Sequence, residues 1–215
     1  MTKTLPLLAA VAMAAVAPTA LAQDAAAGEK KAAMCIGCHG IPGYQASFPQ
    51  VHRVPMISGQ NAKYIVASLQ AYKKGERRHP SMRGLAGSLT DADMADLGAF
   101  YEQHGGPAAP VADTPPAPSA EVAALLAKGA CASCHGANYN KPIDGAYPKI
   151  AGQHADYLYV ALRAYQVKDG SATGRANAIM GGQVAQYKAS ELRAIANYLG
   201  SLPGDLKTVP QSRFR

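Results

Sequence analysis

Tryptophan is absent from the 215 residues, and phenylalanine occurs only three times. Much of the apolar content is alanine, whose side chain buries little area. A core built from this inventory alone would be thin, and something other than the chain is expected to fill it. Charged residues are scarce at 16%, yet hydrophobic residues reach 48%, which excludes a disordered chain. No dense Lys/Arg run occurs, so nucleic acid is not expected as a partner. There is no convincing strand pattern. Beyond residue 22 no apolar run is long enough to span a membrane.

What is present begins with an export signal. Lys3 gives a positive start, Leu5 to Ala17 carries no charge, and Ala20-Leu21-Ala22 reads as a cleavage site. Residues 1–22 are therefore expected to be a signal peptide, leaving an exported chain that begins at Gln23. The competing reading is an uncleaved anchor, for which the apolar run is short.

Four cysteines fall in two identical frames, Cys35-Ile36-Gly37-Cys38-His39 and Cys131-Ala132-Ser133-Cys134-His135, 96 residues apart. Pro55-Met56-Ile57-Ser58-Gly59-Gln60 resembles Pro148-Lys149-Ile150-Ala151-Gly152-Gln153, at an offset of 93. Tyr64, Leu69 and Ala71-Tyr72 match Tyr157, Leu162 and Ala164-Tyr165 at the same offset. The chain is thus an internal duplication. Between the copies lies residues 105–120, with five prolines, which reads as a stiff, extended linker. The expected domains are 23–104 and 121–215, each small enough to need a staple or a cofactor. The first carries nine basic and seven acidic side chains, net +2, and the second eleven and six, net +5. A basic second half would steer acidic partners.

Local patterning is helical. Ala25 to Cys35 and Ala120 to Cys131 are alanine-rich helix formers. Residues 61–74 and 154–167 show helical spacing of Tyr and Leu. Thr90 and Ser190 read as N-caps of the last helix of each copy. Met94, Leu97 and Tyr101, and Leu192, Ile195 and Leu199, mark their core faces.

C-x-x-C-H is the attachment sequence of c-type haem. On one turn of helix, sulfurs at i and i+3 share a face and can add to the two vinyl groups, and the next histidine comes under the iron. Two disulfides would leave both histidines unexplained. A four-cysteine zinc site separates its pairs by about 15–20 residues, whereas 92 intervene here. A thioredoxin-like pair needs a strand–helix–strand context that is missing. The expectation is two covalently bound haem c groups, which would supply the missing apolar bulk.

The second axial ligand is narrowed by elimination. Met180 is the only methionine after Met94, and the repeat pairs it with Met82. Met82 and Met180 are therefore the expected partners of His39 and His135, since His/Met ligation is an ordinary haem arrangement. His79 is the real alternative in the first copy and His154 the competitor in the second. Met56 and Met94 read as surface or packing residues, and Met34, just before the cysteine frame, does not easily reach the opposite haem face. Haem histidines donate their other N–H to an acceptor. The Pro55 and Pro148 carbonyls are candidates, although those prolines also serve as simple breaks before a helix. Tyr64, Tyr157, Arg77 and Arg175 are candidates for contacts to haem propionates, against ordinary core or surface roles. His52, His104 and His154 read as surface or capping residues.

Together these features resemble the cytochrome c4 family. The two haem frames, Tyr147-Pro148-Lys149-Ile150-Ala151-Gly152-Gln153-His154 and the Met82 and Met180 segments carry the resemblance, over residues 23 to about 203. The first copy departs with Val54-Pro55-Met56-Ile57-Ser58-Gly59-Gln60-Asn61 and a longer segment after His39. No ligand is touched by either change. The tail after Pro203 carries no readable signal. The resemblance implies an all-α protein of two tandem class I cytochrome c domains about a pseudo-twofold axis, their haems facing through propionate edges. It implies a monomeric periplasmic electron carrier, loosely membrane-associated, between the cytochrome bc1 complex and a terminal oxidase such as the cbb3 type. The rival expectations are a dedicated cytochrome subunit of a sulfide- or alcohol-oxidising dehydrogenase, and a small dihaem enzyme such as a peroxidase or thiosulfate-oxidising cytochrome.

Overall fold

The computed structural model describes residues 23–107, 110–167 and 171–210. The expected signal peptide, 1–22, lies outside them. No helix among the described residues is long and apolar enough to cross a membrane.

The first half contains α1 (Ala25–Lys31), α2 (Ala33–His39), β1 (Gln45–Ala46), β2 (His52–Arg53), α3 (Ala62–Lys74), β3 (Arg77–Arg78), α4 (Pro80–Gly87) and α5 (Asp91–Gln103). The second contains α6 (Ala120–Lys128), α7 (Cys131–His135), α8 (Ala155–Ala164), β4 (Gly174–Arg175), α9 (Ala178–Val184) and α10 (Ala189–Ser201). The fold is all-α, with small antiparallel pairs β1–β2 and β3–β4 that the residue pattern did not show. The alanine-rich stretches are each broken in two. Ala32 divides α1 from α2, and Ala130, in the left-handed region at φ 44°, divides α6 from α7.

Each half has its own core. Met94 and Leu97 are fully buried beside Ile36, Ile65 and Phe100, and Leu192 is fully buried beside Leu158, Ile195 and Leu199. In the first half α1 crosses α5 at Gly28, where a Cβ would stand 2.1 Å from the Asp96 carbonyl oxygen. Lys31 ties the crossing, 2.7 Å from both Asp93 and Asp96 carboxylates. Thr90 caps α5 as expected, its Oγ1 accepting from the Asp93 N–H. Ser190 does not cap α10. The N-cap is Lys188, whose N–H donates to the Glu191 carboxylate at 2.6 Å. The N3 carboxylate satisfies the N-cap's own N–H, and the helix starts two residues earlier than a Ser190 cap would set it.

Residues 110–119 run as coil against the second half. Asn138 donates to the Ala112 carbonyl, Lys141 meets Asp113, and Tyr198 donates to the Pro116 carbonyl. The tail beyond Pro203 returns to the first half, where the Lys207 N–H donates to the Ser58 carbonyl at 3.0 Å. The halves also meet through β3–β4, which sets Arg77 opposite Arg175. An ion pair joins Arg53 to Asp156 at 3.1 Å.

Candidate functional site

Both cysteine frames open onto one continuous cavity of about 600 Å³ between the halves. Cys35, Cys38 and His39 reach it from α2, Met82 from α4, Cys131, Cys134 and His135 from α7, and Met180 from α9. All eight expected site residues therefore line the same space. Short helices present the methionines. Pro80 opens α4 at its first position, where a missing N–H costs nothing. Asn177 caps α9 by accepting from the Met180 N–H at 2.9 Å.

No disulfide joins the four cysteines. Burial pushes the Cys35 and Cys131 thiols up. A redox-active C-x-x-C pair needs the opposite shift. Among the described residues no cluster of His, Cys, Asp or Glu forms a metal site of its own.

The histidines are poised to donate a lone pair. His39 Nδ1 lies 2.8 Å from the Pro55 carbonyl and His135 Nδ1 lies 3.0 Å from the Pro148 carbonyl. A carbonyl only accepts, so Nδ1 carries the proton and Nε2 holds the lone pair. Burial pushes both imidazoles below their ordinary pKa, with the carbonyl contact opposing it, so both stay neutral. The two prolines thus orient the imidazoles as well as breaking the chain.

Polar groups gather where the halves meet. Arg77 donates to Tyr64 Oη at 3.2 Å, Ser68 Oγ at 2.8 Å and Tyr157 Oη at 2.8 Å. Arg175 donates to Tyr157 Oη at 2.9 Å. Burial would raise the Tyr64 phenol, but the Arg77 and Arg175 guanidiniums outweigh it and bring it down to about 8. Arg77 Nε and His79 Nδ1 are buried on the cavity wall without a partner. The guanidinium Nε–H, an orphaned donor beside an apolar cavity, calls for an anionic ligand edge. An apolar cavity, paired thiols, neutral imidazoles, thioethers and cationic donors together suit a haem with propionates.

Some residues sit elsewhere than the patterning suggested. His52 is buried at 5% exposure and stacks on Tyr157 of the other half, so it is no surface residue. His104 is the C-cap of α5, as expected, and its ring also bonds Ser58 Oγ and stacks on Phe100. His154 stands at the N-cap position of α8, as expected, half-buried and without a side-chain capping bond. Met94 lies in the core, whereas Met34 and Met56 border the cavity. Gln60, Gln153 and Asp156, each of which crosses between the halves, carried no local signal beyond the repeat itself.

This fold and these paired frames define a c-type cytochrome with two haem groups. The cytochrome c family model matches residues 119–203. Cytochrome c4 of Azotobacter vinelandii is 32% identical over 196 residues, covering 84% of this chain and 90% of that one. The chain belongs to the cytochrome c4 family, and so carries covalently bound haem c and transfers electrons. The crystal structure of reduced cytochrome c4 from Pseudomonas stutzeri matches with a TM-score of 0.58 and 25% identity, covering 84% of this chain and 100% of that one. A protein named thiosulfate dehydrogenase electron acceptor, from Thiomonas intermedia, is 27% identical, covering 83% of this chain and 82% of its own.

Proposed function

We propose that Cys35 and Cys38 would hold one haem c and Cys131 and Cys134 the other, with His39 and Met82, and His135 and Met180, as the residues that would bind the two irons. On this reading residues 23–104 and 121–215 are the two cytochrome domains, joined by 105–120. One observation carries it: both frames, both histidines and both methionines line a single cavity between the halves.

Haem iron supplies reversible one-electron exchange when bound. The protein's part is to bind, orient and exclude. Pro55 and Pro148 fix the imidazole tautomer, leaving Nε2 free to ligate. The Met82 and Met180 thioethers would close the sixth position, raise the potential and bar oxygen and peroxide. Arg77 and Arg175 would offset propionate charge. No substrate pocket is needed, because each half takes and gives one electron.

The chain is read as a periplasmic carrier, exported by cleavage after residue 22, between the bc1 complex and a cbb3-type or other terminal oxidase. The net +5 of residues 121–215 favours weak, fast, salt-sensitive encounters with acidic partners. A second reading is a dedicated acceptor for a periplasmic dehydrogenase, supported by the likeness to the Thiomonas thiosulfate dehydrogenase electron acceptor. Stopped-flow mixing with each partner at two ionic strengths decides between them. The carrier reading expects rapid, salt-weakened reduction by the bc1 complex and oxidation by the oxidase. Exchange confined to the dehydrogenase, in a complex that survives salt, would replace it with the second.

A further inference from the structure

Two glutamines cross the boundary between the halves in the same way. Gln153 Oε1 accepts from the Met56 N–H at 3.0 Å, and its Nε2 donates to the Met56 carbonyl at 2.8 Å. Gln60 Oε1 accepts from the Lys149 N–H at 2.9 Å, and its Nε2 donates to the Lys149 carbonyl at 2.9 Å. Both side chains are 4% exposed. Each Oε1 also accepts from the N–H of the next residue, His154 or Asn61, at 3.0 Å. Two backbone donors at the oxygen and one backbone acceptor at the nitrogen fix the orientation of each amide by chemistry.

The N–H that each glutamine grips belongs to a particular peptide group. Met56 N–H shares its amide plane with the Pro55 carbonyl, which accepts from His39. Lys149 N–H shares its plane with the Pro148 carbonyl, which accepts from His135. Two hydrogen-bonded chains result. One runs from His39 through peptide 55–56 to Gln153 of the other half, and one from His135 through peptide 148–149 to Gln60.

We propose that Gln153 and Gln60 are crossed positioning residues, each setting the donor strength of the haem histidine in the opposite half. The proposal rests on the reading of His39 and His135 as axial ligands. Its physics is polarisation along a resonant amide. Donation of the N–H to a buried Oε1 places more negative charge on the carbonyl oxygen of the same peptide. That oxygen then draws harder on the imidazole Nδ1–H, and the imidazole becomes a stronger ligand to ferric iron. The two-point grip also holds the carbonyl in line. Docking of one half therefore lowers the reduction potential of the other, and a loosened interface raises both.

A purely adhesive role would not make the effect cross over, and that separates the two. In the full-length, haem-loaded protein, Gln153→Met removes the amide while keeping the volume. The midpoint of each haem is read by spectroelectrochemical titration. Each histidine Nδ1–H is followed by proton NMR, assigned through its own half's neighbours. Q153M is expected to raise the midpoint of the His39 haem and move the His39 Nδ1–H resonance, with a smaller change at the His135 haem. Q60M is expected to do the reverse, and it carries the test if Q153M does not assemble. A larger shift at the haem of the substituted half, equal shifts at both, or none would overturn the crossing. Haem count and the near-infrared methionine band of the same samples test the ligand reading separately.

Discussion

Arg77 and Arg175 stand at equivalent positions of the two halves, pair across the β3–β4 bridge, and both donate to Tyr157 Oη, at 2.8 and 2.9 Å. Two guanidiniums sharing one phenol repel unless anions lie between them. Arg77 Nε, buried and unpartnered, marks where one would bind. The pair therefore spans the two halves on the cavity wall.

Arg77→Gln is expected to lower the midpoints of both haems, because removing a nearby cation stabilises the oxidised iron. Spectroelectrochemical titration reads it. A shift confined to the His39 haem would mean that Arg77 serves its own half alone.

Met82→Ala and Met180→Ala are each expected to remove half of the near-infrared methionine-to-ferric-iron band. Each should let cyanide bind to one haem per chain. If M82A leaves a band of two-haem intensity, another methionine on the cavity wall, Met34 or Met56, is the ligand; if the band has one-haem intensity both before and after the substitution, His79, which also borders the cavity, is.

The interface should weaken in acid. Burial raises the Asp156 carboxyl, but hydrogen bonds from the Arg53 side chain and N–H and from the Tyr157 N–H outweigh it and hold it below the ordinary range. Its stabilisation is present above the unfolded value of about 3.9 and is lost as pH falls through the lower folded value. Arg53 is substantially exposed, so the pair contributes about 1 kcal/mol or less. Asp156→Asn is expected to remove this acid dependence in urea titrations, leaving neutral-pH stability slightly reduced.

Gly28→Val is expected to destabilise the first half, by about 1–3 kcal/mol or more, through overpacking of the α1–α5 crossing. Denaturant titration of the His39 haem's absorbance should move, and that of the His135 haem should stay.

The haem frames, the duplication and the core faces of α5 and α10 were legible because each is written in local spacing. Cys35, Cys38 and His39 must share a helical turn, and Leu192, Ile195 and Leu199 a helical face. Contacts between the halves left no such trace. His52 looks like a surface residue until Tyr157 of the other copy covers it. Asp156 looks like an ordinary first-turn acid until Arg53 reaches it. The glutamines were visible only as repeat matches, since nothing local says that each bonds its counterpart's loop. Helices α4 and α9 are too short for periodicity, and the left-handed turn at Ala130 uses a residue that does not favour it. The returning tail takes its register from distant partners: Lys207 bridges to Ser58 and donates its Nζ to the Gly105 carbonyl, and the Asp205 N–H donates to Asn140 Oδ1.

Two haems per chain, each held by a histidine and a methionine, are expected. A pyridine haemochrome count, combined with the near-infrared spectrum of the ferric protein, tests this expectation most directly. Two haems per chain and a methionine band of two-haem intensity are expected. One haem per chain, or a band of half that intensity with a high-spin component, would contradict it.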